Sequence, residues 1–318
     1  MNGGVMRDLL YIGSGPYCYS NSLAMVLEDA APSPAVIEVL TGSPFGIALL
    51  GGRMPFFDPY GWTPEFGLDI AIGLLGWRCE TVRGGTREEA AERLRRAVAW
   101  GPVLMGPVEM GMLWYQPDMS GPIGADHYLV ALGVDDDRVL MHDPQGYPFV
   151  TLPISELMSA WQGGKLDYGQ PFSMRYGFVR ERAVSVEEAL RAAVPNAIEF
   201  LRGREDLAVP PGTVGGAEAA LGMADLLSAG PDAEMKTHLV YFALRVGSRR
   251  LSDAARALGA LGMDEAAAVA LTQSRLLGTM QYDVVTDDFV SAAAKARLLA
   301  PTYERLAAEL EAAVVPTR

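Results

Sequence analysis

Cysteine and histidine are scarce in this chain, with 2 and 3 residues among 318. The two cysteines, Cys18 and Cys79, lie in stretches of different character, so neither a disulfide framework nor a four-ligand zinc site is supported. With only His127, His142 and His238 to add, few metal constellations can be assembled, and no bound cofactor or metal is expected. Positive charge is also short. Against 39 Asp and Glu stand 26 Lys and Arg, a net charge of −13, which argues against general nucleic-acid binding because that rests on neutralising phosphates. The acidic balance suits a cationic small molecule, but it is equally an ordinary solubility charge. Long apolar runs are missing too: no stretch approaches the roughly 20 consecutive apolar residues that a membrane span needs. The start "MNGGVMRDLLYIG" lacks the basic flank, apolar core and cleavage pattern of a signal peptide. A cytoplasmic protein is expected, with no nucleic-acid or membrane partner.

What is present is apolar material, 50% of all positions, enough for a sizeable core and about two domains. The texture changes near residue 183. Before it, strand-like runs alternate with capped helices; after it, Ala, Leu and Glu dominate at helical spacing. "SGPYCYSNSLAMVLEDA" reads as loop then helix, with Leu23, Val26, Leu27 and Ala30 on one face. Ser33 with Pro34, and Thr63 with Pro64, open two more helices, the first ending at Gly42. Thr86 and Glu89, and later Ser185 and Glu188, spell capping boxes. "WRCETV", "GPVLMGPVEM", "HYLVALGVD", "RVLMHDP", "FVTLPI" and "SMRYGFVRERA" read as strands separated by Gly, Asp or Pro turns. Helices followed by an antiparallel meander predict an α+β domain over 1–182, not a doubly wound parallel sheet. Residues 183–318 read as a separate α-helical domain, with "VPPGTVGG" as a loop.

Cys18 falls at or just before a helix start, where unpaired backbone amides and the helix dipole favour an anion. Such a position stabilises the reactive thiolate, and the same amides can receive charge developing on a carbonyl oxygen. In "DHYLVALGVDDDRVLMHDPQG", His127 begins one strand and Asp143 ends the next across a tight turn. Neighbouring strands lie about 5 Å apart, so the two side chains can meet. Alternation of faces selects Asp143 as the partner and sends His142 to the other side. An imidazole held by a carboxylate is what a thiol nucleophile requires. Singly, each residue has a plainer reading: a buried small hydrophobe, a structural histidine, a turn former before Pro144. Their joint occurrence in a chain so poor in Cys and His favours catalysis.

These segments, with "SPAVIEVLTGSPFG" between them, resemble the papain-like N-terminal domain of the butirosin biosynthesis protein H family, which is followed there by a helical C-terminal domain. More distantly, the hairpin resembles the double-glycine leader peptidases. The resemblance implies a papain-like cysteine protease fold and acyl transfer from the phosphopantetheine thioester of an acyl carrier protein to an amine of a small molecule in natural-product biosynthesis. Cys18 would be the nucleophile, His127 the base and later acid, and Asp143 the orienting residue. The Gln that papain-like enzymes place upstream of the cysteine is missing from "YIGSGPY", which leaves Tyr11, Ser14 or backbone amides as oxyanion donors. Glu109, Trp114 and Tyr115 are candidates for an acceptor pocket, against the plainer reading of a core strand and loop. His238 and Cys79 read as structural. The helical domain is expected to bind the acceptor or to form a homodimer. A hydrolase using the same triad is the first alternative, and a non-catalytic binding module the second.

Overall fold

The structure, a computed structural model, describes residues 17–135, 137–166, 168–204 and 206–314. In chain order the first elements are α1 (Cys18–Leu27), α2 (Pro34–Leu40), β1 (Ala48–Leu50), β2 (Met54–Phe56), α3 (Pro64–Leu74), β3 (Trp77–Val82) and α4 (Arg87–Val98). Next come β4 (Val103–Glu109), β5 (Asp126–Asp135), β6 (Arg138–Asp143), β7 (Tyr147–Pro153), α5 (Ile154–Trp161) and β8 (Met174–Arg180). Then follow α6 (Val186–Arg202), β9 (Val214–Gly215), α7 (Gly216–Ala229), α8 (Ala233–His238), α9 (Leu244–Ala260), α10 (Asp264–Val285) and α11 (Phe289–Val314). The class is α+β, with antiparallel sheets and a helical C-terminal region. Among the described residues no helix is long and apolar enough to cross a membrane. Tyr11 and Ser14 lie outside the described residues.

Local signals act where expected. Both capping boxes form, at Thr86 with Glu89 before α4 and at Ser185 with Glu188 before α6, each closing two backbone donors reciprocally. Thr63 caps α3 by accepting from Phe66 N, with Pro64 in the first turn. "VPPGTVGG", expected as loop, contributes the two-residue strand β9, and β1, β2 and α5 have no counterpart among the expected elements.

The chain divides into two compact units. One holds the described residues through Ile37 together with Gly76–Ala183; the other holds Glu38–Leu75 and the described residues from Val184 onward. The chain therefore crosses between units three times, where domains at 1–182 and 183–318 require one crossing. Residues 38–75 were expected with the first domain and instead pack with the helices of the second unit. The reason is their side chains: Ile47, Leu49 and Phe57 join the apolar core built by Met223, Leu244, Leu277 and Tyr303. β1 and β2 pair antiparallel, and β9 adds to the other edge of β1. Arg250 of α9 also reaches Glu38 and Asp58 within that unit.

The first unit is organised by a six-stranded antiparallel sheet in the order β3-β8-β4-β5-β6-β7. Leu94, Val103, Met105, Leu129, Met141, Leu157 and Trp161 form its core, burying the apolar faces of α4 and α5 against the central strands. α1 packs on β4 and β5, with the Tyr19 ring edge-on to Tyr128 at 6.0 Å. The β4 strand bulges between Met105 and Val108. Gly106 sits there at φ 145°, and a Cβ on it would lie 2.4 Å from the Tyr128 ring and 2.9 Å from His127 O. Only glycine allows β4 to pass this close to the strand that carries His127.

Candidate active site

Cys18 is the first residue of α1. The turn that presents it is tied from inside the helix: the backbone N and side-chain Nδ2 of Asn21 both donate to Tyr17 O, each at 2.8 Å. Tyr19 through Leu27 are all buried, so α1 is a core helix with one end at the site. First-turn amides of such a helix point past its N-terminus and suit an anion there.

His127 lies on β5 and Asp143 at the end of β6. Val130 pairs with His142, which puts Asp143 diagonally across from His127. His127 Nε2–H donates to Asp143 Oδ1 at 2.8 Å, and both side chains are buried. That bond leaves Nδ1 to handle a proton, and Cys18 is near enough to the imidazole to help raise its pKa. His142 is turned away. Its Nδ1 accepts from Phe149 N at 3.0 Å, and its ring lies against Phe149.

The Asp143 carboxylate is completely engaged. Oδ1 also accepts from Gln145 N at 2.7 Å, while Oδ2 accepts from Tyr115 OH at 2.8 Å and Gln116 Nε2 at 2.9 Å. Burial pushes its pKa up, but His127 and these donors outweigh that and hold it below the ordinary 3.8. Burial likewise pulls His127 down, yet the charge and hydrogen bond of Asp143, aided by Cys18, raise it to about 10. The Tyr115 phenol is raised by its burial and by Asp143, so it remains a neutral donor. Asp126, the other carboxylate beside His127, is occupied elsewhere, accepting from Tyr168 OH at 2.6 Å.

These shifts set a sign for stability against pH. His127 has a raised folded pKa, so its contribution is complete below 6.5 and fades as pH rises toward 10. Asp143 has a lowered one, so its share is complete above 3.8 and is lost as pH falls below that value. The pair contributes fully between those limits. Asp143→Asn should therefore lower the melting temperature more near pH 6 than near pH 10 (about these values). A deficit that is flat, or that grows with pH, would contradict the ion pair.

The three pocket candidates differ in what their side chains bond to. Glu109 is fully buried, and its carboxylate accepts from Gly111 N, Ile123 N and Gly124 N at 3.3, 3.0 and 3.0 Å. Buried as it is, the carboxylate finds its partners in these loop amides. Tyr115 gives its hydroxyl to Asp143. Trp114 remains 51% exposed. Glu109→Ala should speed hydrogen exchange at the Ile123 and Gly124 amides by about tenfold or more, as expected for losing charge-assisted bonds. Exchange at the native rate would show that the carboxylate does not hold the loop.

Gln116, Gln145 and Asn21 escaped the sequence reading; Gln116 lies 27 positions from Asp143, whereas Gln145 and Asn21 act through short-range bonds, to Asp143 two residues earlier and to Tyr17 O four residues earlier. His238 is structural, as expected: Nε2–H donates to Pro55 O at 2.9 Å and burial lowers its pKa. Cys79 is half-buried on β3. Among the described residues, no cluster of His, Cys, Asp or Glu could hold a metal ion.

A family model described as the YobF C-terminal domain matches residues 210–311, which span β9 and most of the helices that follow it. The chain is also 30% identical over 251 residues to the uncharacterized protein YobF of Bacillus subtilis (strain 168). That similarity covers 77% of this chain and 80% of the relative, so it reaches far beyond the matched helices.

Proposed function

The chain belongs to the YobF family, and from that starting point we propose that it is a cysteine-dependent acyltransferase whose sheet-bearing unit has a papain-like fold. It takes an acyl or aminoacyl group from a thioester donor, such as an acyl carrier protein, and passes it to an amine of a small molecule. The observation that carries this reading is the buried His127–Asp143 pair meeting a thiol at the start of a core helix. The resemblance of the Cys18 and His127-to-Asp143 segments to the butirosin biosynthesis protein H family supports the choice of transfer. A carrier-borne donor in natural-product biosynthesis implies a cytoplasmic protein.

In the first step the Cys18 thiolate attacks the thioester carbonyl carbon, and His127 holds the proton that left the thiol. Collapse of the tetrahedral intermediate breaks the bond to the donor sulfur, which leaves as a thiol carrying the proton from His127. In the second step the amine attacks the acyl-cysteine. His127 takes a proton from the amine nitrogen, the amide forms, and the Cys18 thiolate is regenerated. Asp143 keeps the imidazole in one tautomer and balances its charge throughout. Among the described residues, backbone amides of the first turn of α1 are donors suited to the oxyanion.

The test is incubation with acyl-carrier thioesters followed by mass measurement of the peptide that contains Cys18. An adduct that persists until an amine is added supports transfer. Rapid release as free acid would point instead to a hydrolase using the same triad, and no adduct with any thioester or peptide would leave only a binding module.

A further inference from the structure

Between β4 and β5 the chain leaves the sheet and returns at one place. Glu109 pairs with Asp126, and Met110 N donates to Ala125 O at 2.8 Å. Gly121 N donates to Gly111 O at 3.1 Å, and a Cβ on Gly111 would lie 2.1 Å from Gly121 O. With the Glu109 carboxylate gathering amides from both limbs, residues 110–125 form a closed Ω loop. The inner side of this loop carries Leu113, which is buried, and then Tyr115 and Gln116, whose side chains converge on one oxygen of Asp143.

Resting on the triad reading, we propose that Tyr115 and Gln116 are positioning residues that act through Asp143 on His127, and that the loop closed by Glu109 is the device that delivers them. A carboxylate has two oxygens that exchange places by rotation. Here Oδ1 serves His127 and the Gln145 amide, and Oδ2 serves only the loop among the bonds described. Removing the loop donors strands a buried anionic oxygen, so Asp143 must turn or take up a proton. Either response loosens the imidazolium on which the thiolate depends. The ionisable groups facing this carboxylate are His127 from β5, Tyr115 from the loop and, behind Tyr115, Tyr147 of β7 with its ring at 5.5 Å; Cys18 faces the imidazole from α1.

The probe is iodoacetamide, which reports the reactivity of Cys18 whatever the natural acyl donor, read at the Cys18 peptide as a function of pH. Tyr115→Phe keeps the ring and should slow alkylation by about tenfold. It should also move the acid limb of the profile up by about one pH unit, because Asp143 then accepts a proton more readily. Gln116→Leu should shift both in the same direction. Native rate and native limb in both variants overturn the proposal. A slower rate with an unmoved limb also overturns it, since that is what a merely structural role produces. If Tyr115→Phe does not fold, Gln116→Leu decides by the same two outcomes; loss of fold in both assigns the residues to stability and overturns positioning. Failure of the triad reading looks different, because native Cys18 would then alkylate no faster than in His127→Ala.

Discussion

Replacing His127 by Ala slows single-turnover acylation of Cys18 by about 10³-fold or more. In the proposed mechanism the imidazole holds the thiol proton and returns it to the leaving sulfur, and its side chain is buried. Asp143→Asn should fall nearly as far, although its shape is preserved. An amide in place of the carboxylate can present its NH₂ to Nε2, which favours the wrong tautomer, and it brings no charge to balance the imidazolium. Cys18→Ala should abolish the adduct altogether. Rapid-quench acylation with an acyl thioester, read by intact mass, supplies the rates. Retention of activity within about tenfold in His127→Ala would remove His127 from the mechanism.

Arg250→Met should destabilise the helical unit by about 3–5 kcal/mol. Arg250 lies on α9 and is 3% exposed. Its Nε donates to Glu38 Oε1 at 2.7 Å, and its Nη1 donates to Asp58 Oδ1 at 2.5 Å and to Phe57 O at 3.2 Å. The guanidinium also lies 5.8 Å from the Trp62 ring. A methionine fills much of the same space, so packing loss is small and the effect comes from two carboxylates losing their cation. Glu38 suffers more, being fully buried, whereas Asp58 keeps some contact with water. Adding Glu38→Met to Arg250→Met should restore part of the loss, because the buried charge goes with its partner. Urea unfolding followed by far-UV dichroism measures both variants. A cost below about 1 kcal/mol for Arg250→Met would mean that the pair behaves like a surface ion pair and does not hold residues 38–75 in place.

Much of the local architecture was legible before any coordinates. Both capping boxes and the Thr63 cap depend on a side chain and an amide three residues apart, a distance that sequence spacing reports directly. The β5–β6 hairpin was legible because alternation and a turn suffice to set it, and with it came the choice of Asp143 over His142. What was not legible has a common cause. Glu109 in "PVEMGMLWY", singled out for lying just upstream of His127, has one partner two positions away at Gly111 and two more, Ile123 and Gly124, fourteen and fifteen positions later. Gln116 meets Asp143 across 27 positions and Arg250 meets Glu38 across 212. Residues 38–75 carry no mark of which unit they join.

The sequence by itself determined where most of the long helices and the strands of the larger sheet begin, and that one thiol, one imidazole and one carboxylate stand in an order suited to nucleophilic chemistry. These follow from residue type and from interactions within a few positions. Only the tertiary structure decided which donors complete Asp143, that Glu109 closes a loop, and which core takes up residues 38–75. Those outcomes rest on burial, which strips water from polar groups and forces each to find a partner wherever the fold has brought one. Distance along the chain carries no trace of that choice.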